Sequence, residues 1–178
     1  MTDVRRCDLP ENALLLRFTR GGAYTDCYVT EVPPGVTQAA YVEAFYKSRL
    51  FKLERLLLAY LASKPSTDAQ AADLASGETR VFAAWRVEDR TQDQLLMCDL
   101  SGRTRSWFMI VPKAVPCAST LLYFGSAVVP VIDESGQATL GFTFKALLGF
   151  HRLYSRALLS AAGSRVARSS RVPGTQPG

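Results

Sequence analysis

A chain of 178 residues, 48% hydrophobic and 21% charged, has the size of one domain and enough apolar content to bury a core, which excludes a disordered protein. The net charge of +5 does not mark a nucleic-acid surface, because Arg165, Arg168 and Arg171 stand together after Ala162 without an acid and the rest is close to neutral. No apolar run approaches the ~20 residues that span a bilayer, and acids and Pro10 interrupt any secretion-signal pattern, so the expectation is a cytoplasmic protein with Cys7, Cys27, Cys98 and Cys117 as free thiols.

In chain order, Leu14–Val32 reads as strand-like, with an earlier strand at Leu14–Phe18 and a turn at Gly21-Gly22 just before the main run. Tyr24, Asp26, Tyr28 and Thr30 share one face of that strand; Thr25, Cys27, Val29 and Glu31 share the other. Pro33-Pro34-Gly35 ends it. Thr37 is a helix N-cap, with Val36 placed to staple on Tyr41. The stripe Val42, Tyr46, Leu50, Leu53, Leu57, Leu61 marks the helix face, with a break near Ser48 and an end at Lys64-Pro65. Thr67 and Gln70 form a capping box for a short helix that stops at Gly77.

The period then changes to two. Arg80–Glu88 predicts one strand, with Val81, Ala83, Trp85 and Val87 opposing Arg80, Phe82, Ala84 and Arg86. Leu95–Leu100 and Arg103–Val111 form a hairpin about Ser101-Gly102, in a register that sets Cys98 opposite Arg105 and Leu96 opposite Trp107. Ser119–Val129 is a further strand, with Tyr123, Gly125 and Ala127 on one face and Leu122, Phe124 and Ser126 on the other. After a turn at Asp133–Gly136, a helix runs from about Phe142 to Ala162 with Leu147, Phe150, Tyr154, Leu158 and Ala161 in its stripe, and Gly163 ends it. Consecutive strands followed by a long helix define an α+β fold: residues 1–162 form one domain, the terminal helix covers an antiparallel sheet, and residues 163–178 are a basic, disordered tail.

Chemistry is sparse. The single histidine, His151, has no cluster of cysteines or carboxylates around it in sequence, so no metal and no cofactor is expected. There is no Gly-x-Ser-x-Gly elbow, and Gly21-Gly22 leads into a strand rather than a helix, so it is not a phosphate cradle. Cys27 and Cys98 read as small hydrophobes in strands, although Arg105 opposite Cys98 would lower that thiol if both face a pocket. Charges inside apolar strands carry more information: Asp26 lies between Tyr24 and Tyr28, Arg86 follows Trp85, and Arg105 precedes Trp107. Since buried charges need partners, an Asp26–Arg105 or Asp26–Arg86 pair would make the polar floor of a pocket. The alternative is that these faces are the solvated side of the sheet.

This order of elements resembles the helix-grip domains of the START and Bet v 1-like (SRPBCC) superfamily. Within it, Val81 to Ala162 is similar to uncharacterised bacterial families of the DUF2867 type, through Met97-Cys98-Asp99-Leu100, Gly102 to Trp107, Leu122-Tyr123-Phe124-Gly125 and Phe150-His151-Arg152. The resemblance implies a curved antiparallel sheet wrapped around a long C-terminal helix, additional helices between the first strands and the main sheet, and a pocket between sheet and helix. Asp26, Tyr28, Arg86, Arg105, Trp107, Tyr123, Phe150, His151 and Tyr154 are the expected ligand-binding residues. The expected ligand is a small apolar or amphipathic molecule with one polar or acidic group. Two alternatives stand beside it. One is a cyclase, hydratase or isomerase in which Asp26 or His151 moves a proton and Arg105 holds an oxyanion. The other is an interaction protein whose basic tail meets an acidic partner.

Overall fold

The computed structural model describes residues 3–53, 66–132, 138–139 and 142–170, with the backbone alone for 131–132, 138–139 and 142–148. Seven antiparallel strands make the main sheet: β1 (Val4–Arg6), β2 (Tyr24–Val32), β3 (Val81–Phe82), β4 (Trp85–Arg90), β5 (Gln94–Asp99), β6 (Thr104–Lys113) and β7 (Ser119–Val128), in the order β1-β2-β7-β6-β5-β4-β3. A small ladder, β8 (Val131–Ile132) with β9 (Ala138–Thr139), precedes the last helix. Helices α1 (Leu16–Thr19), α2 (Gln38–Tyr46), α3 (Asp68–Ser76) and α4 (Phe142–Ser169) complete the described elements. The expected continuation through Leu57 and Leu61 to Lys64-Pro65, the turn at Asp133–Gly136 and the chain beyond Ser170 lie outside the described residues.

Local chemistry sets the helix ends. The Thr37 hydroxyl accepts from the Ala40 amide at 3.2 Å, and Thr67 and Gln70 cap each other's backbone amides reciprocally. Gly77 closes α3 at φ 94°, which a side chain would strain. The break near Ser48 has a cause: Ser48 Oγ accepts from the Phe51 amide at 3.2 Å and starts a new helical stretch at 49–53.

Four expectations about elements are corrected. Leu14–Phe18 is a helical turn, not a strand; the Leu16 and Phe18 amides bond back to Ala13 and Leu15, which lets the leucines pack on the sheet from one side. Arg80–Glu88 is a two-strand hairpin, because Ala83 turns the chain at φ 52° and Phe82 pairs with Trp85. That reversal buries Phe82 and leaves Val81 57% exposed. The β5–β6 connection spans 100–103, although the register is the expected one, Cys98 to Arg105 and Leu96 to Trp107. Finally, α4 passes through Gly163 to Ser169, so the basic tail does not begin at 163. A mid-helix glycine costs roughly 1 kcal/mol, and burial of Val166 in the main core offsets it.

The sheet is covered on both faces. Tyr28, Phe108, Phe124, Leu122 and Met97 meet α2, α3 and α4 in the main core. Leu96, Trp107, Met109 and Ala127 meet the N-terminal segment, through Ala13 and Leu15, in a second core. Gln94 clips that segment down: its Oε1 accepts from Leu14 N and Trp107 Nε1, both at 2.9 Å, and its Nε2 donates to the Asn12 carbonyl at 3.0 Å. Water can reach the Asn12 and Leu14 ends, but Trp107 is fully buried. Gln94→Leu is therefore expected to cost about 2 kcal/mol, mostly the orphaned indole N–H, measured by urea unfolding. An unchanged midpoint would show that the clip contributes nothing.

Candidate functional site

Rows of residues cross the sheet on the face toward α4. Ladder pairing aligns Tyr28, Phe124, Phe108 and Leu95 in one row and Asp26, Ser126, Ser106 and Met97 in the next, with Thr104 beyond, opposite Val128. Large side chains fill the first row. In the second, serines stand where the neighbouring row has aromatics, so the space under α4 is not filled. The result is a cavity of about 140 Å³. Phe45, Tyr46, Phe51 and Trp85 wall it, Thr104, Ser106 and Ser126 floor it, and His151, Tyr154 and Leu158 of α4 close it.

Its polar end is a hydrogen-bonded cluster. Ser126 Oγ donates to Asp26 Oδ1 at 2.6 Å, and the Ser126 amide donates to the same oxygen at 3.2 Å. His151 Nε2 lies 2.7 Å from Ser126 Oγ and 3.3 Å from Asp26 Oδ2. Tyr24 donates its hydroxyl to Asp26 Oδ2 at 3.4 Å and accepts from Arg152 Nε at 3.2 Å. The Asp26 side chain is 0% exposed and that of His151 26%. Burial alone would push the Asp26 carboxyl up; the hydrogen bonds of His151 and Ser126 and the His151 charge together hold it below the usual carboxylate value.

The arrangement is not a serine-nucleophile relay. A relay needs the ring between the two partners, with one nitrogen to each. Here the same nitrogen faces both, and the Ser126 proton goes straight to the carboxylate. With that proton spent, Nε2 must carry a hydrogen to satisfy the serine oxygen. The cluster therefore presents a fixed donor-bearing ring at the cavity wall, backed by a buried anion.

The nine expected residues divide between the two faces. His151 and Tyr154 line the cavity, and Asp26 lies one hydrogen bond behind it. Tyr28 shares the face but sits in the core, where burial pushes its phenol up to about 12. Phe150 is 65% exposed and stacks on Tyr154 from outside, ring centres 5.7 Å apart. The buried face of α4 is rotated from the expected stripe and runs His151, Ser155, Leu158, Ala162, Val166. Arg86, Arg105, Trp107 and Tyr123 lie on the opposite face of the sheet. There Arg105 bonds Glu88 at 3.0 Å and stacks over Phe18 at 4.7 Å, while Arg86 approaches Cys98 Sγ at 3.8 Å. The expected Asp26–Arg105 and Asp26–Arg86 pairs are corrected accordingly: the sheet separates them. Cys98 is also corrected, since burial outweighs Arg105 and pushes its thiol up. An oxyanion holder at Arg105 is excluded from the cavity on the same ground.

Ser126, Ser106 and Thr104 were not among the expected residues. Their signal was present, a run of small hydroxyl residues at alternate positions of otherwise apolar strands. Among the described residues no group of three or more His, Cys, Asp or Glu side chains is placed to hold a metal ion, and no helix is long and apolar enough to cross a membrane. Comparison with family models, with curated proteins and with solved structures finds no match.

Proposed function

We propose that this domain binds a small molecule about the size of one ring, apolar apart from a single hydrogen-bonding group, between the sheet and α4. The observation that carries the reading is the polar-floored, aromatic-walled cavity over Ser106 and Ser126. An apolar cavity of roughly 150 Å³ admits a benzene ring, and pockets with apolar walls and few convergent polar groups are the usual ligand sites. The ring sits against Phe45, Phe51 and Trp85, and its polar group meets the Ser106 and Thr104 hydroxyls beside His151. Strand order supports a helix-grip layout: β2 lies beside β7, the meander β3–β7 fills the rest, and the helices between β2 and β3 lie on the face that α4 crosses.

The test uses phenol and toluene, which differ in the polar group. Phenol is expected to shift the amide NMR signals of Ser106, Ser126 and His151 and to raise Tm, more than toluene does. Ser106→Leu fills the cavity, is expected to cost no more than about 1–3 kcal/mol of stability, and abolishes both effects. A wild type indifferent to both probes, or a Ser106→Leu protein that responds like wild type, refutes the assignment.

A further inference from the structure

Two thiols face each other on the side of the sheet away from the cavity. The β1–β2 register runs Val4 to Thr30, Arg5 to Val29 and Arg6 to Tyr28. One step further, Cys7 stands opposite Cys27, and the Cys7 amide donates to the Cys27 carbonyl at 3.0 Å. Opposed residues of an antiparallel ladder have Cα atoms about 4.5–5.5 Å apart, inside the roughly 4.4–6.8 Å that a disulfide accepts. The sulfurs are already 3.5 Å apart. Both border a cleft of about 590 Å³ together with Arg6, Asp8, Leu16 and Thr19, but Cys27 is buried there and Cys7 only half-buried. A small oxidant can enter there, where Cys7 is the more exposed of the two sulfurs.

We propose that Cys7 and Cys27 form a dithiol that hydrogen peroxide converts to a disulfide, with Cys7 as the attacking and Cys27 as the resolving sulfur. The Cys7 thiolate attacks one peroxide oxygen, the O–O bond breaks, and the departing hydroxide takes a proton to become water. Cys7 is left as a sulfenic acid, oxidised by two electrons while the peroxide is reduced. Cys27 sulfur then attacks Cys7 sulfur. The S–O bond breaks, the S–S bond forms, and the hydroxide leaves as a second water with the Cys27 proton. Two thiols and one peroxide thus yield one disulfide and two waters, and an external dithiol reverses the change.

The two environments suit these roles. The sulfur–sulfur hydrogen bond, helped by Arg5, holds the Cys7 thiol below its usual value against its partial burial and the Asp8 charge, and the thiolate is the reactive form. The same bond, together with burial, pushes Cys27 up, and its burial leaves Cys7 as the sulfur open to solvent. Because β1 is an edge strand, the new bond fastens the start of the N-terminal cover to the sheet.

The experiment treats the reduced full-length protein with equimolar hydrogen peroxide, alkylates it, and maps peptides under non-reducing conditions. The expected product is a Cys7–Cys27 cross-linked peptide two hydrogens lighter than its reduced parts. Exposed Cys117 and buried Cys98 stay unlinked, dithiothreitol reverses the change, and Tm rises on oxidation. In Cys27→Ala, a dimedone probe is expected to trap Cys7 as the sulfenic acid; if that variant does not fold, the wild-type map decides alone. Alkylation of both Cys7 and Cys27 while Cys117 is oxidised, or passage of Cys7 to sulfinic acid without a cross-link, overturns the proposal.

Discussion

Replacing Gly125 with valine is expected to destabilise the protein by about 4 kcal/mol, a large share of the 5–15 kcal/mol that holds a domain folded. Gly125 lies in β7, hydrogen-bonded between β2 and β6, opposite Cys27 on one side and Trp107 on the other. A Cβ there would stand 2.9 Å from the Asp26 carbonyl oxygen and 3.0 Å from both Leu15 Cδ2 and Trp107 Cε3. None of the three can give way cheaply. The carbonyl belongs to the ladder, Leu15 and Trp107 are fully buried, and the Trp107 ring is tied to Gln94. Alanine adds one carbon and is expected to cost about half as much. Urea unfolding of wild type, Gly125→Ala and Gly125→Val measures the series. A valine variant with the wild-type midpoint would mean that the cover segment yields freely. Since the struck oxygen is on Asp26, the variant is also expected to lose the phenol response.

Asp26→Asn is expected to cost about 3 kcal/mol at neutral pH, the lower end of the range for breaking a buried pair, since His151 keeps some contact with water. Asparagine preserves the shape and can still accept from Ser126. Its amide then points hydrogens at the Tyr24 hydroxyl and His151 Nε2, which carry donors in the wild type. The pH dependence separates this effect from simple packing. The folded-state pKa of Asp26 is depressed, so its contribution is complete above the unfolded value of about 3.9 and is lost as pH falls through the lower folded value. The stability gap between wild type and Asp26→Asn should therefore narrow as pH falls below about 4. A gap that stays the same at every pH would remove the charge from the explanation.

Much of the local structure was legible. The Thr37 cap, the Thr67–Gln70 box, the Gly77 stop and the Cys98–Arg105 register each depend on a few residues close in sequence, and each is present. The misreadings have one kind of cause. Alternation sorts residues into two faces within a strand but says nothing about which face of a distant strand matches. For β5 and β6 a short turn transmits the parity. For β2 and β7 the pairing joins residues 100 apart, as in Ser126 and Asp26, and no local signal carries it. Alternation within strands therefore offers Arg105, which lies across the sheet, as a partner for Asp26 and misses Ser126, which lies beside it. The Phe150 stripe failed similarly: an apolar periodicity marks a helix face, but the docking partner chooses the face, and here it chose the one with His151 and Ser155.

The α+β class, the capped helices, the meander of antiparallel strands and the terminal helix follow from periodicity and from interactions within a few residues. Contacts between distant segments set the cover on both faces of the sheet, the row of small hydroxyl residues from two strands beneath His151, and the meeting of Cys7 with Cys27. Each of these is a long-range register, which is set only when the whole hydrophobic face of one element is buried against another.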